Sequence, residues 1–94
     1  MHIVLVDFEF DPAKSTSNLF KHGIDFVEAQ ALWLDAGLVI LPSTYPFEER
    51  FILIGKIGEK HWAAVFTERG ECIRIISVRR ARDNERLIYG RHQL

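Results

Sequence analysis

The sequence predicts an α+β domain with a largely antiparallel sheet, in the element order β-α-α-β-β-β-β-α. Runs rich in Ile, Val and Phe follow one another through the second half of the chain with only short turns between them, which is typical of hairpins. Helical patterns precede and follow this block instead of alternating with strands, which favours the α+β class. With 94 residues and 48% hydrophobic content, residues 1–94 are expected to form a single domain.

The first strand is expected at residues 3–10, and a helix follows it. Asp11 is a good N-cap residue, Pro12 suits the first helical position, and Gly23 suits the left-handed residue that ends a helix at His22. Three polar side chains recur within the helix at i, i+4 and i+7 and share one face: Lys14, Asn18 and Lys21. That face is either an ordinary solvated surface or part of a binding site.

A second short helix is predicted from Asp25 to Leu34, because Asp25 and Glu28 form a pair that resembles a capping box. Its buried stripe is expected to contain Phe26, Ala29, Leu32 and Trp33. Strands are then predicted at residues 38–41, 50–56 and 61–67, with turns at 58–59 and 68–71.

The chain is organised around residues 72–80, which contain no Gly or Pro and are long enough for a central strand. Strict alternation puts two sets of side chains on opposite faces: Ile73, Ile75, Ser77 and Arg79 on one, and Cys72, Arg74, Ile76, Val78 and Arg80 on the other. Each face then ends in an arginine, which is either an anion-binding edge or simply where the strand meets water. A last helix is predicted at residues 83–93, with Leu87 and Ile88 packing inward.

Charge is distributed unevenly along the chain. Residues 72–94 hold six arginines and two acids, a formal charge of +4, whereas residues 1–71 hold six basic and eleven acidic side chains, a formal charge of −5. Such asymmetry indicates a polyanion or an acidic protein as a partner, and guanidinium groups suit bidentate contact with phosphate. The near-neutral total of −1 argues against tight, sequence-independent binding to duplex nucleic acid.

Other classes of function have little support in the sequence. The four histidines and the single Cys72 show no metal-ligand spacing, and neither a P-loop nor a dinucleotide-binding glycine motif occurs, so no metal or cofactor is expected. A lone cysteine, no leader and no apolar stretch near 18 residues predict a cytoplasmic protein without membrane contact.

The cations and proton carriers that remain suit phosphoryl chemistry without a metal ion. Cleavage of RNA through its own 2′-OH needs a group that takes this proton, cations that stabilise the pentavalent phosphate, and a donor for the leaving 5′-oxygen. The side chains available for these roles are Lys14, Lys21, His22, Arg50, Arg69, Arg79, Arg80 and Tyr89, with Glu49 and Glu68.

Several motifs occur in a fixed order along the chain. They are FEFDP at 8–12 with Lys14 and Asn18, KHGIDF at 21–26 with Glu28 and Ala29, ERF at 49–51 with Ile54 and Gly55, TERG at 67–70, IRIISVRRA at 73–81, and Glu85 and Arg86 with Tyr89. In combination they resemble the BrnT-type toxins of bacterial toxin–antitoxin systems. The resemblance implies a RelE-like ribonuclease fold, and inhibition by a co-transcribed BrnA-like antitoxin with a ribbon-helix-helix DNA-binding part.

The residues and the resemblance together predict a metal-independent endoribonuclease toxin that inhibits translation and forms a hetero-oligomer with its antitoxin. Phosphate and transition-state charge are assigned to Arg79, Arg80 and Arg69, proton handling to Lys21 and His22, and a supporting role to Arg50. Further RNA contacts are assigned to Lys14, Arg74, Arg82 and Tyr89. The alternative is a non-catalytic module whose arginine-rich end binds an acidic protein or acts in a transcription-regulating complex.

Overall fold

The structure, a computed structural model that describes residues 6–94, is built on one five-stranded sheet. The strands are β1 (Asp7–Glu9), β2 (Val39–Ser43), β3 (Arg50–Ile57), β4 (Lys60–Arg69) and β5 (Cys72–Arg80). Their order across the sheet is β1-β5-β4-β3-β2, and all neighbours are antiparallel except β1, which runs parallel to β5. The predicted α+β class with a largely antiparallel sheet is therefore confirmed. Residues 3–5 of the predicted first strand lie outside the described residues.

Helix α1 (Pro12–His22) has the ends that the sequence predicts. The Asp11 carboxylate accepts a hydrogen bond from the Ala13 N–H at 2.8 Å, which satisfies one of the free donors of the first turn. At the other end Gly23 adopts φ 79°, and its N–H donates to the Leu19 carbonyl at 2.9 Å. Local signals therefore fix both boundaries of this helix.

The predicted second α-helix is wrong in type, because the structure has a 3₁₀ helix at Glu28–Leu34. Asp25 and Glu28 do exchange hydrogen bonds between side chain and backbone, at 2.7 and 3.3 Å. The fully buried side chains Phe26, Ala29 and Leu32 recur every three residues. That spacing matches the three residues per turn of a 3₁₀ helix, so core contact favours the tighter winding.

Strand β5 departs from strict alternation at a β-bulge. Ile75 pairs with Phe66 and Ser77 pairs with Val65, so Ile76 has no residue opposite it in the ladder. Beyond the bulge the two faces exchange, and Val78 joins Ile75 in the same core cluster. The predicted face assignment is therefore wrong from Ser77 onward.

The core lies on one face of the sheet, against the 3₁₀ helix and the segment that leads to it. Its buried members are Ile24, Phe26, Ala29, Leu32, Leu53, Trp62, Ala64, Phe66, Ile75 and Val78. On the other face helix α2 (Asp83–His92) packs against β2 and β3 over a second cluster of Val39, Ile54, Ala81 and Tyr89. Val65 and Ser77, on the β4–β5 part of that face, stay half-exposed. We call this β1–β5–β4 part, with the start of β3, the open face.

The packing of α2 differs from the prediction. Leu87 is 62% exposed, whereas Tyr89 and Glu85 are buried, so Leu87 does not pack inward as predicted. The N-cap residue Arg82 makes no side-chain capping bond, but the Glu85 carboxylate accepts the Arg82 N–H at 2.8 Å. One half of a capping box thus remains, and the helix begins at Asp83.

Candidate nucleic-acid interface

The amide of Asn18 fixes α1 to the edge of β5. Within residues 6–94, β1 pairs with β5 through Cys72–Arg74, and farther along β5 Asn18 bonds to the backbone of Val78. Its Oδ1 accepts the Val78 N–H at 3.1 Å, and its Nδ2 donates to the carbonyls of Val78 and Ile24, both at 2.8 Å. Asn18 is 6% exposed, so it does not belong to a solvated face. This contact sets the position of the two lysines that share its helix.

A groove of about 270 Å³ opens between α1 and the bulge of β5. It is lined by Lys14, Ser17, Asn18, Lys21, His22, Ile76 and Ser77. Three of the predicted site residues therefore lie together here, namely Lys14, Lys21 and His22. Two ammonium groups and an imidazole beside a polar strand segment form a cationic groove that is chemically suited to phosphate.

A row of side chains crosses the sheet beside this groove. Thr67 is paired with Arg74, which is paired in turn with Glu9. Arg50 begins β3 one position before the Phe51–Phe66 pair, so it lies next to Thr67. These side chains share the open face, because their neighbours in sequence point into the core. Neighbouring strands are about 4.8 Å apart, so the backbones of Arg50 and Arg74 are roughly 10 Å apart.

Glu9 is a candidate site residue that the sequence interpretation missed. Its Oε1 lies 3.9 Å from both Arg69 Nε and Arg74 Nη1. This oxygen is buried and has no hydrogen-bond partner among residues 6–94. At 3.9 Å the contacts are electrostatic and too long for hydrogen bonds. The only local signal was the alternation of Glu9 with Phe8 and Phe10, and the pairing of β1 with β5 depends on distant parts of the chain.

Arg79 lies at the other end of β5 and is firmly paired. Its two terminal nitrogens donate to the Glu85 carboxylate at 2.7 and 3.0 Å, and one of them also reaches the Arg80 carbonyl at 3.4 Å. The hydrogen bonds from Arg79 lower the pKa of Glu85 against the opposing effect of burial, and the same bonds raise the pKa of Arg79. A bidentate pair of this kind ties the end of β5 to α2.

Arg80 and Arg82 lie away from the groove. Beyond the bulge Arg80 turns to the core face of the sheet, where its guanidinium carbon is 5.4 Å from the centroid of the Trp62 ring. Arg82 is exposed at the start of α2. The structure therefore does not bring either residue together with Lys21 and His22.

Tyr89 lies in the second core cluster, 8% exposed. Its hydroxyl donates to Asp35 Oδ2 at 2.9 Å, and Asp35 also accepts the N–H groups of Gly37 and Lys56. Burial and then this hydrogen bond raise the pKa of Tyr89. Burial opposes the charged form of Asp35, but the three hydrogen bonds prevail and lower its pKa. The predicted RNA contact of Tyr89 thus falls on a residue that holds α2 to the sheet.

The six predicted catalytic residues do not meet at one point. Arg69 is opposite Cys72 and Arg79 is opposite Ala63, so the two arginines are separated by six residues of β4. At about 3.4 Å per residue this is roughly 20 Å. The structure brings together Lys21 and His22 in the groove, and Arg50, Arg69 and Arg74 at one end of the open face, with Arg79 at its far end.

Two kinds of feature are absent from the described part of the chain. Residues 6–94 hold no group of three or more His, Cys, Asp or Glu side chains placed to bind a metal ion. Within the same residues, neither helix combines the length and the hydropathy that a bilayer crossing requires.

Comparison with known proteins identifies the family. No match was found among curated proteins. A family model described as "Ribonuclease toxin, BrnT, of type II toxin-antitoxin system" matches residues 10–85, which include α1, the open face from β3 to β5 and the start of α2. The match covers most of the chain. It includes the motifs of the sequence resemblance except Phe8 and Glu9 at the start and Arg86 and Tyr89 at the end. The chain belongs to the BrnT family of ribonuclease toxins of type II toxin–antitoxin systems.

Proposed function

We propose that this toxin is a metal-independent endoribonuclease that binds single-stranded RNA on the open face and cleaves it with the RNA's own 2′-OH as nucleophile. In the cytoplasm this activity inhibits translation. The observation that supports the proposal most strongly is that Arg50 and Arg74 share the open sheet face with Ser77, which lines the groove with Lys21 and His22.

The reaction needs two proton transfers and one concentration of positive charge. One group of the Lys21–His22 pair takes the proton of the 2′-OH, whose oxygen attacks the phosphorus. The bond to the 5′-oxygen breaks, and the other group protonates this leaving oxygen. The products are a 2′,3′-cyclic phosphate and a 5′-hydroxyl. Arg74, with Arg69 beside it and Arg50 two strands away on the same face, stabilises the negative charge of the pentavalent phosphate.

Glu9 supplies the counter-charge of the resting site. Its carboxylate lies 3.9 Å from both Arg69 and Arg74 without a hydrogen bond to either. An RNA phosphate offers the same two guanidinium groups bidentate hydrogen bonds, so it competes with Glu9 on favourable terms. Glu9 thus offsets the mutual repulsion of the two guanidinium groups until substrate arrives.

The other predicted residues take supporting roles. Arg79 is a positioning residue, since its pair with Glu85 fixes the strand that carries Ser77 and Arg74. Lys14 extends the cationic surface of the groove along the RNA backbone, whereas Arg80 on the core face and Arg82 at the start of α2 add positive charge away from the bound strand. Tyr89 acts through its hydrogen bond to Asp35, which seats α2 on the sheet.

An assay of purified toxin on a single-stranded RNA tests the proposal. With EDTA present, cleavage should continue and the products should carry 2′,3′-cyclic phosphate ends. Loss of activity in EDTA that returns with Mg²⁺ or Zn²⁺ would overturn the metal-independent mechanism. A protein that binds its antitoxin but neither cuts RNA nor arrests growth would instead fit the non-catalytic module.

The partner is proposed to be a ribbon-helix-helix antitoxin that covers the open face with acidic side chains. The two lysines of the groove, with Arg69 and Arg74 on the open face, give such a partner a cationic surface to recognise. Association should therefore slow as salt rises from about 0.05 to 0.5 M, because the Debye length falls from roughly 14 to 4 Å. An association rate that is indifferent to salt would place the inhibitory contact on another surface.

A further inference from the structure

The loop between β2 and β3 presents an aromatic surface beside Arg50. Phe47 is 84% exposed, and its ring meets the ring of Tyr45 edge to face at a centroid distance of 5.5 Å. The guanidinium carbon of Arg50 lies over the Tyr45 ring, 3.6 Å from its centroid. Since Arg50 occupies one face of Tyr45, the ring of Phe47 is the main aromatic surface that this loop offers to solvent.

The loop is held in one arrangement by several contacts. Pro46 in the loop fixes its own φ angle, as does Pro42 near the end of β2, which lowers the entropy that ordering this segment costs. Glu48 accepts a hydrogen bond from Arg50 Nε at 3.1 Å, so the arginine joins the loop to the start of β3. A recess of about 400 Å³ runs along this segment. The aromatic pair therefore forms a preorganised surface next to the open face.

Charge determines what this surface can bind. Glu48 and the exposed Glu49 follow Phe47 directly, so a phosphate or an acidic peptide is repelled at the loop itself. Arg50 lies next to Thr67, in the row that ends with Arg74 and Glu9. We call the row of Arg50, Thr67, Arg74 and Glu9 the arginine row. An uncharged base that contacts Phe47, with its phosphate on the arginine row, suits the charge of both regions.

We infer that Phe47, supported by Tyr45, stacks on one unpaired base of the RNA next to the cleaved phosphate. The inference rests on the proposed function and adds a site that selects the substrate by its bases. Stacking on an aromatic side chain strengthens binding about 10-fold or more per base and accepts any base. The platform therefore selects single-stranded over paired RNA, and the recess limits which base fits best.

The test uses a single-stranded RNA with a 2′-deoxy nucleotide at the scissile position, so that it binds without being cut. Two further strands carry an abasic site on one or the other side of that position. Phe47→Leu removes the aromatic ring but keeps an apolar side chain, whereas Phe47→Trp keeps a stacking surface. Leu34→Ala is the matched control, since Leu34 is 86% exposed on the 3₁₀ helix, away from the arginine row.

Phe47→Leu should weaken binding of the intact strand about 10-fold. For the wild-type protein one abasic strand should bind correspondingly less well, and in Phe47→Leu that difference should disappear. Phe47→Trp should bind like wild type, and Leu34→Ala should show no change. Cleavage by Phe47→Leu should keep its chemistry but lose part of its base preference.

Three outcomes overturn the inference. Wild-type affinity in Phe47→Leu shows that no base stacks there, and an unchanged abasic effect in that variant places the base elsewhere. Antitoxin binding that weakens in Phe47→Leu while RNA binding stays constant assigns the surface to the protein partner. If Arg74→Ala still lowers cleavage in any of these cases, only the inference of base stacking on Phe47 is overturned. If the wild-type protein neither binds nor cuts RNA, the proposed function is overturned as well.

Discussion

The two ends of β5 carry arginines that face the same side of the sheet but have different electrostatic partners. At one end Arg79 makes two hydrogen bonds to Glu85, at 2.7 and 3.0 Å, with side chains 21% and 9% exposed. At the other end Arg74 and Arg69 share Glu9 at 3.9 Å, and these three side chains are 30%, 59% and 39% exposed. A closed, buried pair stabilises the fold, whereas an open one leaves hydrogen-bonding capacity for a ligand.

The first test of this comparison removes Arg79 and has the largest expected effect. Arg79→Ala leaves Glu85 buried without its partner, and breaking a buried pair costs about 3–5 kcal/mol. We therefore expect urea or thermal unfolding to show a loss near the lower end of this range, because Arg79 is partly exposed.

A double variant provides the control for Arg79. Replacing both partners by apolar residues, as in Arg79→Leu with Glu85→Leu, should restore much of the lost stability, since no buried charge is left unpaired. If Arg79→Ala is as stable as wild type, the pair does not support the fold and the contrast between the two ends of β5 does not hold.

The second prediction concerns Arg74, at the open end. Arg74→Ala should lower RNA cleavage by about 10²-fold, the scale for one preorganised charge stabiliser. Its unfolding free energy should change by less than about 1 kcal/mol, because the pair with Glu9 is long and partly exposed. Single-turnover cleavage and urea unfolding measure the two effects.

Arg91→Ala is the matched control for Arg74, since it removes the same charge from an exposed position at the end of α2. It should cut RNA at nearly the wild-type rate. Arg74→Lys should recover only part of the activity, because an ammonium group cannot form the bidentate contact of a guanidinium. Equal cleavage by the Arg74 and Arg91 variants would move the site away from the arginine row.

Much of the fold could be predicted because its signals are local. Asp11, Pro12 and Gly23 fix the ends of α1 within a few residues of chain, and residues 72–80 form the strand that their composition predicts. The bulge at Ile76 had no such signal, since neither Gly nor Pro marks it. The bulge depends on the pairing of β5 with β4 on one side and on its hydrogen bonds with Asn18 of α1 on the other. It reverses the faces of the residues after it.

The site could be predicted in residue type but not in grouping. Lys14 and Lys21 share a helix face, so their common groove followed from helical spacing. The roles of the arginines depended on acidic partners that the sequence does not mark as such. Glu85 reaches Arg79 only because α2 turns back onto the sheet, and Glu9 reaches Arg74 only through a parallel pairing of distant segments.

The third prediction concerns pH, again at the closed end. The pKa of Glu85 lies below its ordinary value of 4.5, so its pair stabilises the folded state above that pH and loses this contribution as pH falls through the lower folded pKa. Unfolding free energy should therefore drop in that acidic range. Glu85→Gln should show a flatter dependence there, and an equal slope in both proteins would assign the acid sensitivity to other carboxylates.

The last prediction has the smallest expected effect and tests the open end from the acidic side. If Glu9 competes with phosphate for Arg69 and Arg74, then Glu9→Gln should bind single-stranded RNA more tightly, by about two- to fivefold, since exposed ion pairs contribute up to about 1 kcal/mol. The plot of log K against log salt should become steeper by roughly 0.7 if one further phosphate contact forms.

Asp7→Asn is the matched control for Glu9, because Asp7 lies on the same strand two residues away and loses the same charge. It should change RNA affinity less than Glu9→Gln does. Equal gains in both variants would mean that Glu9 acts only through net charge. If RNA affinity is unchanged but cleavage falls about 10²-fold, Glu9 would instead be a proton acceptor for the 2′-OH. Its position beside Arg74 is compatible with that role.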